Sequence, residues 1–104
     1  MPLFRRRRTA APARANHGEG VRHLEEWAQS RRGVEAFVEP QTAVTDTTVL
    51  LVAATGEWTR RRVDGPKAAA DFARRIGIPV YDAQIVGYPQ RMRDWNARKS
   101  ADGD

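Results

Sequence analysis

The chain has 104 residues, 40% hydrophobic and 30% charged, which suits one small globular domain. It has no cysteine, which excludes disulfides, thiolate nucleophiles and thiolate metal sites, and no apolar run is long enough to cross a bilayer. Residues 1–20 hold five arginines against one acid, whereas the other residues hold thirteen cations against twelve acids. Most of the net charge of +5 is therefore concentrated in the N-terminal segment.

Three regions are predicted along the chain. Residues 1–16 are expected to form a disordered basic tail, because their arginines are followed by alanine and proline without periodicity. Residues 17–99 are predicted to form a single α/β domain, and residues 100–104 a frayed C-terminus. No apolar stretch follows the N-terminal charges, so no secretory signal is expected and the predicted compartment is the cytoplasm.

The domain is predicted to begin with a helix. Asn16 is a candidate N-cap with Glu19 three residues later, and Gly33 is a candidate terminating residue. The apolar residues between them recur at the spacing of one helix face: Val21, Leu24, Trp27 and Ala28.

Three strands are predicted next. The first covers residues 34–39 and stops at Pro40. The second, within residues 47–54, is apolar on both faces, which is typical of a central strand. The third covers residues 57–63 and follows a tight turn at Thr55-Gly56.

The pairing of the second and third strands depends on the length of this turn. A connection of two or four residues places Ala53 opposite Trp58, Leu51 opposite Arg60, and Val49 opposite Arg62. Because arginines then occupy both faces of the third strand, we expect that strand at an edge of the sheet.

The remaining elements are a helix, a strand and a helix. The second helix is predicted to begin at Pro66 and end at Gly77, with Ala69, Phe72, Ala73 and Ile76 buried. A strand from Val80 to Val86 follows, with Tyr81, Ala83 and Ile85 on one face. The last helix opens at Tyr88-Pro89 and carries Met92 and Trp95 as its apolar pair.

These elements predict an α+β (α/β-like) fold in the order α-β-β-β-α-β-α. Its centre is a small mixed four-stranded sheet with helices packed on it. The second helix is expected to act as a crossover that returns the last strand parallel.

Two basic segments are candidate binding sites for an acidic partner, which is a nucleic acid, a ribosome or a protein. Four adjacent arginines in the tail favour a phosphate backbone or an anionic lipid, and the last helix carries four cations against Asp94. Free N–H groups at the start of that helix would also suit an anion. The alternative is a solvated tail and helix face. The candidate residues are Arg5, Arg6, Arg7, Arg8, Arg91, Arg93, Arg98 and Lys99.

A further candidate surface or pocket consists of Trp58, Arg60, Arg62, Tyr88 and Gln90. Trp58 suits base stacking, and the arginines on its strand suit phosphate contacts. The alternative is that Trp58 packs in the core and the arginines protect a sheet edge.

The sequence contains no motif for catalysis or for a cofactor. No acid is paired by motif with a base, the only serines are Ser30 and Ser100, and there is no phosphate-binding glycine loop. Glu19, His23 and Glu26 share one helix face but lack the spacing of a zinc motif. We therefore predict no catalytic residues, no cofactor and no metal.

Five segments together resemble a family of small actinobacterial proteins. They are HLEEW (23–27), RRGVEAFVEP (31–40), GEWTRRRV (56–63), GIPVYD (77–82) and GYPQRMRDW (87–95). The resemblance covers most of residues 20–97 and implies a high-GC bacterial source, in agreement with the excess of arginine over lysine. Members of that family are sometimes labelled oxidoreductases, but this chain has neither a redox cysteine nor a dinucleotide fingerprint.

Three functions follow as hypotheses. The first is a non-enzymatic cytoplasmic binding module that contacts an acidic partner through the tail and the last helix. The alternative is a protein-interaction or assembly factor that acts as a homo-oligomer through an apolar patch or a sheet edge. A small enzyme such as an oxidoreductase is the third.

Overall fold

The computed structural model describes residues 18–101. The predicted tail with Arg5, Arg6, Arg7 and Arg8, the candidate cap Asn16, and residues 102–104 lie outside the described residues.

The described elements confirm the predicted fold class. Helix α1 covers residues 18–29 of the described chain. It is followed by β1 (Glu35–Glu39), β2 (Thr48–Val52), β3 (Trp58–Arg62), α2 (Pro66–Ile76), β4 (Val80–Asp82), α3 (Ala83–Val86) and α4 (Gln90–Ala101). No helix in this part of the chain is both long and apolar enough to span a bilayer.

The four strands form one mixed sheet in the order β3-β2-β1-β4. β2 pairs antiparallel with β1 and with β3, and β4 pairs parallel with β1, as the crossover through α2 predicts. The edge position of β3 and the central position of β2 are likewise confirmed.

Helices cover both faces of the sheet because β2 is apolar on both. Val49 and Leu51 point to one face, where they join Leu24 of α1 and Phe72 of α2 in the larger core cluster. Leu50 and Val52 point to the other, where they pack with Phe37, Ala83 and Met92 of α4. α2 forms as predicted, from Pro66 to a left-handed cap at Gly77.

The first helix ends earlier than predicted. It stops at residue 29, four residues before Gly33. Ser30 accounts for this end, since its hydroxyl donates to the Trp27 carbonyl oxygen at 2.9 Å and satisfies a carbonyl of the last turn. Arg31 and Arg32 consequently lie in the loop that leads to β1.

The prediction of a continuous strand from Val80 to Val86 is wrong. β4 ends at Asp82, whose carboxylate accepts the backbone N–H of Gln84 at 2.8 Å and so caps the single turn of α3. Local capping by aspartate overrides the alternating pattern here. As a result Ile85 leaves the predicted strand face and is 80% exposed.

The predicted register of β2 and β3 is also wrong, by one residue. Val52 lies opposite Trp58, and Leu50 opposite Arg60. The turn contains three residues, because Ala53 N–H donates to Glu57 O at 2.8 Å and Gly56 N–H donates to Ala53 O at 2.9 Å. A shift of one residue exchanges the faces of the sheet, so Trp58, Arg60 and Arg62 face the side that α4 covers.

Candidate functional site

α4 lies directly against the turn that joins β2 and β3. A Cβ atom at Gly56 would lie 2.0 Å from the carbonyl oxygen of Arg91 and 3.0 Å from Cβ of Trp95, so only glycine permits this approach. The contact is extended by Trp58, whose Nε1 donates to Oδ1 of Asn96 at 2.8 Å. The turn therefore determines where α4 and its cations lie.

Arg91 connects α4 to the sheet. Its Nε donates to the carbonyl oxygen of Ala53 at 2.9 Å, and its Nη2 donates to Oε1 of Glu35 at 2.7 Å. Both side chains of this ion pair are about one-third exposed, at 30% and 29%. The guanidinium of Arg91 is thus engaged inside the fold, and partner binding by Arg91 stays a prediction.

Glu39, on the same sheet face as Glu35, joins three further groups. It accepts hydrogen bonds from Nε and Nη2 of Arg60 at 2.7 and 2.8 Å, from Thr48 Oγ1 at 2.5 Å and from the Tyr88 hydroxyl. Burial raises the pKa of Glu39, but the hydrogen bonds from Arg60, Thr48 and Tyr88 outweigh it, so the pKa lies below its ordinary value. Burial and the bond to Glu39 raise the pKa of Tyr88. Arg60 and Tyr88 therefore hold β3 and the segment before α4 against β1.

Unpaired cations are concentrated on α4. Residues 18–101 contain thirteen lysines and arginines, of which seven form ion pairs with described carboxylates. The six without such a pair are Arg22, Arg32, Arg61, Arg93, Arg98 and Lys99. Half of these six belong to α4, although that helix is a small part of the described chain.

Two of these cations flank one aromatic ring at the turn. The guanidinium of Arg98 lies 5.8 Å from the ring centroid of Trp95, and Nζ of Lys99 lies 5.6 Å from it. Arg98 also donates from Nη2 to the carbonyl oxygen of Thr55 at 3.1 Å, which holds it beside the turn. Both cations remain exposed.

The loop after α1 adds charge from the other side of the turn. Ala54 N–H donates to the carbonyl oxygen of Arg32 at 2.9 Å, which brings Arg32 next to the turn. Arg31 makes a two-pronged bond to Glu57 at 3.1 and 2.8 Å and lies 4.4 Å from the ring centroid of Trp27. The bond from Arg31, aided by the charge of Lys99, holds the pKa of Glu57 below its ordinary value.

We name this region the turn surface: the three-residue turn 54–56 and Glu57, with Arg31, Arg32, Trp95, Arg98 and Lys99 around them. It contains four cations and one carboxylate, that of Glu57. Since Glu57 is already bonded to Arg31, the region retains a net positive charge that a bound anion would neutralise.

Most of the other predicted site residues lie away from the turn surface, whereas Trp58 adjoins it, directly after Glu57 and bonded to Asn96 of α4. Arg93 and Gln90 interact on α4, with Nη1 of Arg93 donating to Oε1 of Gln90 at 3.3 Å. Arg62 lies at the opposite end of β3 from the turn, 3.7 Å from Asp46. Trp58 carries Arg60 at 5.4 Å from its ring centroid, and Tyr88 lines a shallow groove near β4.

Sequence reasoning missed Arg31, Arg32 and Trp95 as members of a charged surface. With Gly33 predicted as the terminating residue, Arg31 and Arg32 would have ended the first helix, and Trp95 was expected only as an apolar contact of the last helix. These residues come close together because the turn contacts both the loop after α1, through Ala54, and α4, through Gly56. Contacts between segments so far apart in the sequence leave no local pattern.

The described residues show no cluster of three side chains that would hold a metal ion. His23 instead shares a hydrogen bond of 2.8 Å with the hydroxyl of Thr59, and burial, followed by the charge of Arg61, lowers its pKa. The turn surface offers exposed cations and the ring of Trp95 for binding.

Comparison of the chain with protein-family models, with curated proteins and with solved structures found no match. The resemblance to small actinobacterial proteins thus rests on the five quoted segments and stays a prediction.

Proposed function

We propose that this protein is a small binding module that holds the backbone of a single-stranded nucleic acid at the turn surface. The observation that carries the proposal is the group of four cations against one carboxylate, two of them beside the ring of Trp95. Such cations bind phosphates with release of counterions, which is a strong driving force at low salt.

The aromatic ring favours a nucleic acid over other anions. Sequence-tolerant binding of single strands combines a cationic track with side chains on which unstacked bases lie. Trp95 is partly exposed and is positioned by the contact of its Cβ with Gly56, so it meets this requirement next to Arg98 and Lys99. An acidic protein would use the cations but would gain less from the ring.

We include the N-terminal arginines as further contacts to the nucleic acid, on the basis of the sequence alone. Arg5, Arg6, Arg7 and Arg8 add four charges to the chain and would lengthen the contact with a phosphate backbone. Removing residues 1–16 is therefore expected to weaken binding without removing the contribution of the turn surface.

The test is a binding titration of the full chain with a fluorescently labelled single-stranded RNA of about a dozen nucleotides. The double variant Arg98→Gln/Lys99→Gln removes two phosphate contacts, which weakens binding roughly 20-fold near 0.1 M salt. The matched control is Lys67→Gln/Arg74→Gln, which removes the same charge from α2, where both cations pair with Asp71.

The control is expected to bind within about threefold of the wild type, because its charges lie on the face of the sheet opposite α4. Equal weakening by both double variants would show that only net charge matters and would overturn the turn surface as the site. Displacement of the RNA by an equal charge concentration of poly-glutamate would instead favour an acidic protein as the partner.

A further inference from the structure

A charge-poor segment exposes apolar side chains at the β4 edge of the sheet. Residues 76–90 contain one charged residue, Asp82, in a chain that is 30% charged. Four apolar side chains here are open to solvent: Ile85 at 80%, Val86 at 54%, Val80 at 42% and Tyr81 at 38%. A scarcity of charged residues together with exposed aliphatic and aromatic side chains is typical of the centre of a protein–protein interface. We call these four residues the β4 patch.

The exposure follows from α3. The carboxylate of Asp82, the one charged group of the segment, is bonded to the N–H of Gln84 and so serves the fold. Ile85 and Val86 then lie in a single helical turn, although β-branched residues are weak helix formers. Within residues 18–101 no packing buries Ile85, so local structure does not explain an isoleucine at this position.

A shallow, mostly apolar groove that also includes Glu35 lies directly beside these side chains. Its volume is about 220 Å³, which is more than one isoleucine side chain occupies. The rings of Phe37 and Tyr81 form part of it, with centroids 5.4 Å apart. The lining residues are Glu35, Phe37, Tyr81, Val86, Gly87, Tyr88 and Pro89. The same surface thus carries a projecting isoleucine and a recess that can receive one.

We propose that a second copy of this chain occupies the β4 patch, in a two-fold dimer in which Ile85 of each copy enters the groove of the other. A projection and a recess side by side become self-complementary under a two-fold rotation. Charge favours the same arrangement. The β3 edge carries three arginines and would repel a second basic chain, whereas the β4 edge carries no cation.

The size of the patch sets the strength of the dimer. Its exposed apolar area is on the order of 400 Å², comparable to the largest patches on typical monomers. Two such patches with their grooves bury about 1,000 Å² in total, at the lower end of specific interfaces. We therefore expect a dissociation constant of roughly tens of micromolar. None of the residues of the turn surface takes part, so this proposal stands or falls independently of the proposed function.

The test is sedimentation equilibrium of the full chain from about 5 to 500 μM, a range that brackets the expected dissociation constant. The wild type is expected to shift from monomer to dimer across the range. Ile85→Asp places a charge in the recess and raises the dissociation constant by about 30-fold or more. Val44→Asp is the matched control, because Val44 is 90% exposed but lies outside the β4 patch.

Thermal unfolding of both variants verifies that the fold is intact, since each substitution is at an exposed position. A wild-type chain that stays monomeric at 500 μM would overturn the proposal. So would an Ile85→Asp variant that associates like the wild type, or a Val44→Asp variant that dissociates as fully as Ile85→Asp.

Discussion

Substitution of Gly56 by alanine tests how α4 is held on the sheet. Gly56 has a φ of 93°, and its added Cβ would lie 2.0 Å from the carbonyl oxygen and 2.7 Å from the carbonyl carbon of Arg91. Both of these atoms belong to the backbone of α4. The clash therefore cannot be relieved by a side-chain rotation, and the helix must move away from the turn.

The size of the effect combines three contributions. An alanine at positive φ costs about 1–2 kcal/mol, and overpacking against fixed atoms costs about 1–3 kcal/mol. The smaller entropy of the unfolded alanine chain offsets about 0.4–1 kcal/mol of this. We expect Gly56→Ala to lower the free energy of unfolding by about 2–4 kcal/mol, a large share of the stability of a small domain.

Gly77→Ala is the matched control. Gly77 also has a positive φ, 73°, but no atom lies within 4 Å of its added Cβ, so this variant carries the conformational strain without the clash. Urea unfolding followed by far-UV circular dichroism is expected to rank wild type, Gly77→Ala and Gly56→Ala in order of decreasing stability. If Gly56→Ala were as stable as Gly77→Ala, the close approach of α4 to the turn would be refuted.

Two further substitutions test the polar groups of the fold. Thr47 is 1% exposed and its Oγ1 has no hydrogen-bond partner among residues 18–101, so Thr47→Val is expected to raise the free energy of unfolding by about 1 kcal/mol in thermal melts; a lower melting temperature would contradict this. The pKa of folded Glu39 lies below its ordinary value of 4.5, so this residue contributes stability that is present above that pH and lost as the pH falls through the folded pKa. The urea midpoint of the wild type is therefore expected to fall more steeply below pH 4.5 than that of Glu39→Gln, and parallel pH profiles would contradict the role of the Glu39 bonds.

The first three strands and α2 could be predicted because their signals are local. The alternation before Pro40, the apolar run of β2, and Pro66 with Gly77 at the two ends of α2 each act within a few residues. The turn length could not be predicted, because Thr55-Gly56 suits turns of two, three or four residues. The choice of three shifts the register by one residue and exchanges the faces that Trp58 and Arg60 occupy.

The candidate site likewise has features that could be predicted from the sequence and features that could not. Composition and helical spacing indicated that the last helix is basic, and α4 does carry three of the six cations that form no ion pair with described carboxylates. Arg91 and Arg93 look alike in the sequence, but Arg91 bonds to the carbonyl of Ala53 and to Glu35, whereas Arg93 lies on the exposed side of α4. Helical spacing places Arg91 near the face of Trp95 and Arg93 away from it, but the partners of Arg91, Ala53 and Glu35, lie far away in the sequence.

The salt dependence of RNA binding tests the central claim most directly. Each phosphate contact on a single strand contributes about 0.7 to the slope of log K against log salt concentration. The variant Arg98→Gln/Lys99→Gln is therefore expected to reduce the magnitude of that slope by about 1.4. The control Lys67→Gln/Arg74→Gln is expected to have the same slope as the wild type. Identical slopes for the two double variants would contradict phosphate binding at the turn surface.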